Sequence, residues 1–186
     1  MQIAARGAPD APISPEYVAR LPYATLGARI GRGQRSLLVL GRYDGDDRHW
    51  ISADRAAVVT RNGRLTRLFG IGTDLRDTHG IDDDPVAAST FAFEGLHRRT
   101  VDLGPAGQFG IPIESTFTVR RRETIEILDR QHDTLVVSEE NRSQVVRWTF
   151  TNTFWLDFDT GYVWRSVQHF APEMPSIEME IYKRDA

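Results

Sequence analysis

There is no cysteine among the 186 residues. That absence excludes disulfide scaffolds, zinc–thiolate centres and thiol nucleophiles, and leaves no thiol in this chain to carry a lipid. Lysine is almost missing as well: Lys183 is the one lysine among 23 basic residues, and the other 22 are arginine. A GC-rich genome is the simplest source of that skew; a functional source would be a demand for forked contacts to carboxylates or phosphates. No apolar run approaches the ~18 residues of a membrane-spanning helix, and the opening does not read as a secretory leader. With 26 acidic against 23 basic residues the net charge is −3, which argues against general nucleic-acid binding, since that relies on a basic surface to displace counterions.

Catalytic signatures are missing too. The five histidines, His49, His79, His97, His132 and His169, sit in no zinc-protease motif, and neither a Gly-x-Ser-x-Gly elbow nor a Walker loop is present. No catalytic residue, cofactor site or metal site is therefore assigned. Asp74, Asp77, His79, Asp82, Asp83 and Asp84 form the densest group of hard ligands, but their spacing does not match an EF-hand loop and a solvated acidic loop is the simpler reading. Glycosidases need a pair of carboxylates, and acidic pairs are too common here to single one out. Gly31 to Arg35 could cradle an anion on its backbone amides, although a strand-to-strand turn is the better reading.

What is present is a succession of short strands. A flexible leader is expected over residues 1–13, followed by a single antiparallel β domain over 14–186. Ser14-Pro15-Glu16 has the form of a helix start, and Pro22 stops that helix by about Leu21. Strands are expected at 24–30, 36–40, 48–53, 57–61 and 64–69, with Asn62-Gly63 as the strongest hairpin signal. The stretch from Gly70 to Gln108 is hard to read beyond a short strand near 100–103 and loops at Asp82–Pro85 and Gly104–Gly107. Further strands are expected at 115–121, 124–128, 134–139, 145–157, 162–170 and 177–182. Many short strands joined by hairpins mean an all-β antiparallel sandwich or barrel-like meander with one short N-terminal helix.

The sharpest local expectation concerns the hairpin around Asp159-Thr160-Gly161. A three-residue turn pairs Phe158 with Tyr162, Leu156 with Trp164, Phe154 with Ser166, and Asn152 with Gln168 on one buried face. The opposite face then sets Trp155 across from Arg165, with His169 further along. Indole and guanidinium stack favourably, so Trp155, Arg165 and His169 are the candidate glycan-binding or interaction residues. The alternative is that a neighbouring loop or sheet covers Trp155.

Several segments taken together resemble the YjbF/GfcB family, the group 4 capsule polysaccharide lipoproteins. They include Leu21-Pro22-Tyr23-Ala24, Leu37 to Gly41, Trp50 to Asp54 and Val59 to Arg64. Gly70-x-Gly72-x-Asp74-Leu75, Arg147 to Phe150 with Asn152-x-x-Trp155, and Thr160 to Gln168 complete the set. The resemblance implies an outer-membrane lipoprotein facing the periplasm that serves exopolysaccharide or capsule production without catalysis. It would bind the polysaccharide or brace the export machinery, beside an outer-membrane β-barrel and other periplasmic secretion proteins. The chain as given lacks the family's lipid-bearing cysteine, so the resemblance implies a start after it, with residues 1–13 as the remnant of a tether and a membrane link through that lipid alone. The family supplies no agreed active-site residues. Two other classes stay open from the residues themselves: a carbohydrate-active enzyme using loop carboxylates, and a barrel enclosing a small apolar ligand.

Overall fold

The computed structural model describes residues 13–104 and 107–185. The expected leader, apart from Ile13, lies outside the described residues, as do Pro105 and Ala106 of the expected loop.

The helix forms where its signals stand. α1 covers Pro15–Arg20, with the Ser14 hydroxyl accepting a hydrogen bond from the Tyr17 amide at 3.2 Å and Pro15 supplying the helical φ of the first turn. Twelve strands follow. β1 is Thr25–Ile30, β2 Ser36–Asp44, β3 Asp47–Ser52, β4 Ala57–Arg61, β5 Arg64–Phe69 and β6 Leu75–His79. β7 is His97–Leu103, β8 Gln108–Ile127, β9 Arg130–Ser143, β10 Trp148–Asp157, β11 Val163–Gln168 and β12 Ile177–Lys183. Each pairs antiparallel with the next, and β1 pairs with β12, so the sheet closes as an up-and-down barrel and leaves no open end strand. Between the expected sandwich and barrel, the structure is the barrel. Asn62 and Gly63, at φ 42° and 79°, make the tight β4–β5 turn that their chemistry favours.

β8 departs most from the local signals. The two strands expected at 115–121 and 124–128 are one strand of 20 residues, interrupted at Arg120 by a register shift between Val119 and Arg121. An extra residue in one strand breaks the alternation that sequence reading depends on. Pro112 and Gly110 had disguised its first half; Pro112 is tolerated because β8 there pairs with β7 alone and meets β9 from Glu114 onward. Val145 to Arg147, read as strand, form the β9–β10 turn, with Arg147 at φ 50°. Leu128 and Asp129, at φ 46° and 63°, form the β8–β9 turn without a glycine to announce it.

A barrel of this strand number has a wide interior that must be filled. The larger apolar cluster spans Leu26, Leu38, Trp50, Leu68, Val101, Ile113, Phe150 and Ile177 among others. The smaller one gathers Val86, Phe93, Phe117, Val137, Phe154, Leu156 and Val163. Val86 and Phe93 belong to the connection over residues 80–96, which turns inward and is tied there by Asn62 Nδ2 donating to the Val86 carbonyl at 2.7 Å. This connection plugs one end of the barrel.

Candidate functional site

On β10, Phe150, Asn152, Phe154 and Leu156 are buried, while Thr149, Thr151, Thr153 and Trp155 face outward in alternation. Trp155 stands directly across from Arg165, whose guanidinium carbon lies 5.7 Å from the ring centroid. A cation–π pair of this kind contributes about 0.5–2 kcal/mol. Arg165 Nε also donates to Glu180 at 2.6 Å, and Arg35 ion-pairs with both Glu178 and Glu180, so a row of alternating charge crosses from β11 to the β1–β2 turn.

The hairpin register holds for Phe154–Ser166 and Trp155–Arg165 and then slips. Leu156 pairs with Val163, leaving Trp164 as a bulge residue. The cause lies in the turn, where the Asp157 carboxylate accepts from the amides of Asp159 and Thr160 at 3.3 and 3.0 Å and closes the loop one residue earlier than expected. Val163 is therefore buried in the smaller cluster, and Trp164 is half-buried, packed against the larger cluster and lying against His132 with ring centroids 3.9 Å apart.

Trp155 is half-buried beneath the tip of the β8–β9 hairpin, which bends back over the outer wall. Trp155 Nε1 donates to Glu123 at 3.4 Å, and Arg165 Nη2 donates to the Glu126 carbonyl at 3.2 Å. Arg122 stands 3.5 Å from the Phe158 ring centroid, and β8 touches β12, four strands away round the barrel. Ile125, Ile127 and Val136 are buried here although they belong to neither interior cluster. His169 is apart from this corner. It lies four residues beyond Arg165, about 13 Å along the strand direction, with its ring 5.6 Å from Phe150 and its amide donating to Asn152 at 2.8 Å. Burial lowers its pKa, so the ring is neutral at pH 7. Trp155 and Arg165 are thus brought together, and His169 is not.

The interior holds a cluster that sequence reading missed. Glu139 accepts from Arg64 at 2.8 and 3.1 Å, from Arg99 at 2.7 Å and from Asn152 at 2.8 Å. Arg64 also reaches Asp84 of the plug at 2.7 Å, and Arg99 reaches Ser115 and Asn141 at 2.6 and 2.9 Å. The Arg64 guanidinium carbon sits 4.9 Å from the Phe154 ring centroid. Asn152 and Gln168 do turn inward, but they do not satisfy one another. Asn152 is taken by Glu139 and His169, while Gln168 donates to the Gly63 carbonyl at 2.7 Å and accepts from the Leu65 amide at 3.0 Å. The available signal was the period of two along β9, which sends Val137, Glu139 and Asn141 to the same inward face.

Four of the five loop aspartates that an enzyme might use are separately engaged, Asp83 being the exception. Asp74 accepts from the Gly70 amide, Asp77 pairs with Arg67 at 3.0 Å, Asp82 with Arg61 at 3.2 Å and Asp84 with Arg64. Among the described residues no three histidine or acidic side chains converge on a point where a metal ion could sit. The two small voids lined mainly by inward-facing residues measure about 20 and 10 Å³. Each is at most the space of one water. No described helix is long and apolar enough to cross a membrane.

Comparison with known proteins places this arrangement. The chain matches the family model described as "Group 4 capsule polysaccharide lipoprotein gfcB, YjbF" over residues 1–182. It is 30% identical over 177 residues to the uncharacterized lipoprotein GfcB of Escherichia coli (strain K12), covering 94% of this chain and 82% of that protein. The uncharacterized lipoprotein YjbF of the same organism is 22% identical over 179 residues, covering 95% and 83%. The crystal structure of the hypothetical lipoprotein YmcC from Escherichia coli (K12) superposes with a TM-score of 0.85 at 29% identity, over 95% of this chain and 92% of that one. The chain belongs to the YjbF family of group 4 capsule polysaccharide lipoproteins.

Proposed function

We propose that this protein is a non-enzymatic envelope component of capsule or exopolysaccharide production that contacts the polysaccharide along its outer wall. In this reading a lipid on the native N-terminus holds it at the periplasmic face of the outer membrane, beside an outer-membrane β-barrel and other periplasmic secretion proteins. Family membership supports the polysaccharide role, and the lipoprotein names of the relatives support the anchor.

The observation that carries the reading is the state of the interior. The barrel is filled by two apolar clusters, and its inward charges neutralise one another, so the outer wall is the surface left to act. On that wall the outward threonines of β10 form a hydroxyl-bearing strip that ends at the Trp155–Arg165 pair, and His169 lies past the end of the neighbouring strand. Hydroxyls, a guanidinium and the edge of an indole suit a sugar chain, which presents both polar rims and apolar ring faces.

The test is a fluorescence titration of the intact chain with oligosaccharides prepared from the native polysaccharide. Trp50 and Trp148 are buried, so the half-buried Trp155 and Trp164 carry the expected quenching. Trp155→Ala should reduce the quenching more than Trp164→Ala does, and should weaken binding about tenfold, which corresponds to ~1.4 kcal/mol. Quenching that survives unchanged in that variant would move the contact elsewhere, and absence of binding to any soluble glycan would overturn the reading.

A further inference from the structure

A broad concavity lies on the outer face of β7, β8 and β9, away from Trp155. It measures about 530 Å³, within the ~300–1,000 Å³ range of ligand pockets, and is open to solvent. Its floor is a rung across three strands. Arg98 of β7 is paired in register with Glu114 of β8, and Glu114 with Arg142 of β9. Directly opposed residues of neighbouring strands stand about 5 Å apart, so the three side chains form a row of plus, minus, plus.

The row is unevenly satisfied. Arg98 Nε donates to Glu114 at 3.2 Å, which commits the one carboxylate. The next acid on the same face of β9, Glu140, is held by Arg120 at 3.2 Å. Arg142 is left with no ion-pair partner among the described residues, and it is exposed. Beside the row stand apolar surfaces: Pro112 on the floor, and Val145, 72% exposed, at the tip of the β9–β10 turn.

We propose that this groove binds a carboxylate-bearing sugar unit of the polysaccharide, an inference that rests on the polysaccharide-contact reading above. The chemistry divides among three parts. The free Arg142 fork takes the sugar carboxylate, since guanidinium and carboxylate match in two parallel hydrogen bonds. The Arg98–Glu114 pair offers a donor and an acceptor to ring hydroxyls. Pro112 and Val145 cover an apolar ring face. The groove is continuous with the outward strip, because Arg142 is paired in register with Thr149, and Trp155 lies about 20 Å further along β10. A polymer rather than a free monosaccharide fits a site that is open and extended in this way.

Calorimetric titration of the intact chain with a short oligogalacturonate and with a maltodextrin of matched length tests this. The wild-type chain should bind the oligogalacturonate more tightly than the neutral maltodextrin. Arg142→Gln should weaken oligogalacturonate binding at least tenfold and leave maltodextrin binding unchanged, with Arg142→Lys intermediate. Arg55→Gln, which removes an exposed arginine of the β3–β4 turn that does not line the groove, should change neither. Because Arg142 is exposed and unpaired, its variants should keep the wild-type melting temperature. Oligogalacturonate binding that is equal in Arg142→Gln and wild type, or that falls equally in Arg55→Gln, would overturn the groove assignment and leave the polysaccharide contact standing. If neither probe nor the native polysaccharide binds the wild-type chain, the underlying reading fails and the groove assignment falls with it.

Discussion

A carboxylate inside an apolar barrel loses most of its hydration, and burial alone would push the Glu139 pKa up. Arg64 and Arg99, both bonded to it, outweigh that effect and hold the carboxyl below the usual carboxylate range. A folded pKa lower than the unfolded value of about 4.3 contributes stability that is present above that value and lost as pH falls through the folded pKa. The Glu139 contribution should therefore be constant from neutral pH down to about 5 and fade in stronger acid. Glu139→Gln leaves two buried guanidiniums without their shared counter-charge, and breaking such a pair costs about 3–5 kcal/mol. Urea unfolding across pH should show that loss at pH 7 and a flatter acid limb in the variant; equal midpoints at pH 7 would contradict the role given to this residue. Little of this was legible in the sequence. Arg64 follows a tight Asn-Gly turn, where a solvated side chain is the ordinary expectation, and the topology alone brings it to Glu139 and to Asp84 of the plug.

At the scale of elements, local turn chemistry read well and long-range packing did not. The Asn62-Gly63 hairpin fell where two residues tolerant of positive φ stand between alternating strands. The Trp155–Arg165 pairing followed from the turn that joins β10 to β11, but capping by Asp157 moved the register by one residue beyond it, and a shift of one reverses the faces. The bend of the β8–β9 hairpin onto the outer wall carries no period in the sequence. Its trace is the pair Ile125 and Ile127, apolar residues that alternate with charged ones on what would otherwise be an exposed tip. Ile125→Asp should detach that tip, because a carboxylate cannot be buried there without a partner. The expected results are faster amide exchange over residues 121–134 and a red-shifted tryptophan emission as Trp155 gains water, while the interior strands keep their protection. Unchanged exchange at the tip would show that the apolar contact does not hold it.

At the scale of the molecule, the all-β antiparallel class and the family resemblance were within reach of the sequence, because each depends on local alternation or on the order of short segments, whereas β6 at Leu75–His79 was missed and β8 was divided in two. Closure of the sheet was not within reach, since β1 meets β12 across nearly the whole length of the chain. Nor was the groove, which exists because Arg98, Glu114 and Arg142 come from three strands in register. In the proposed reading, a closed barrel with a filled interior and occupied inward charges works on its outside, on a polymer that it contacts without cutting. The most direct measurement is to incubate the intact chain with the native polysaccharide, sediment or size-fractionate the mixture, and determine both the bound fraction and the polymer length. Polysaccharide that co-migrates with the protein and keeps its length is the expected result. Polymer that stays free at saturating protein, or that emerges shortened, would contradict a non-enzymatic polysaccharide contact.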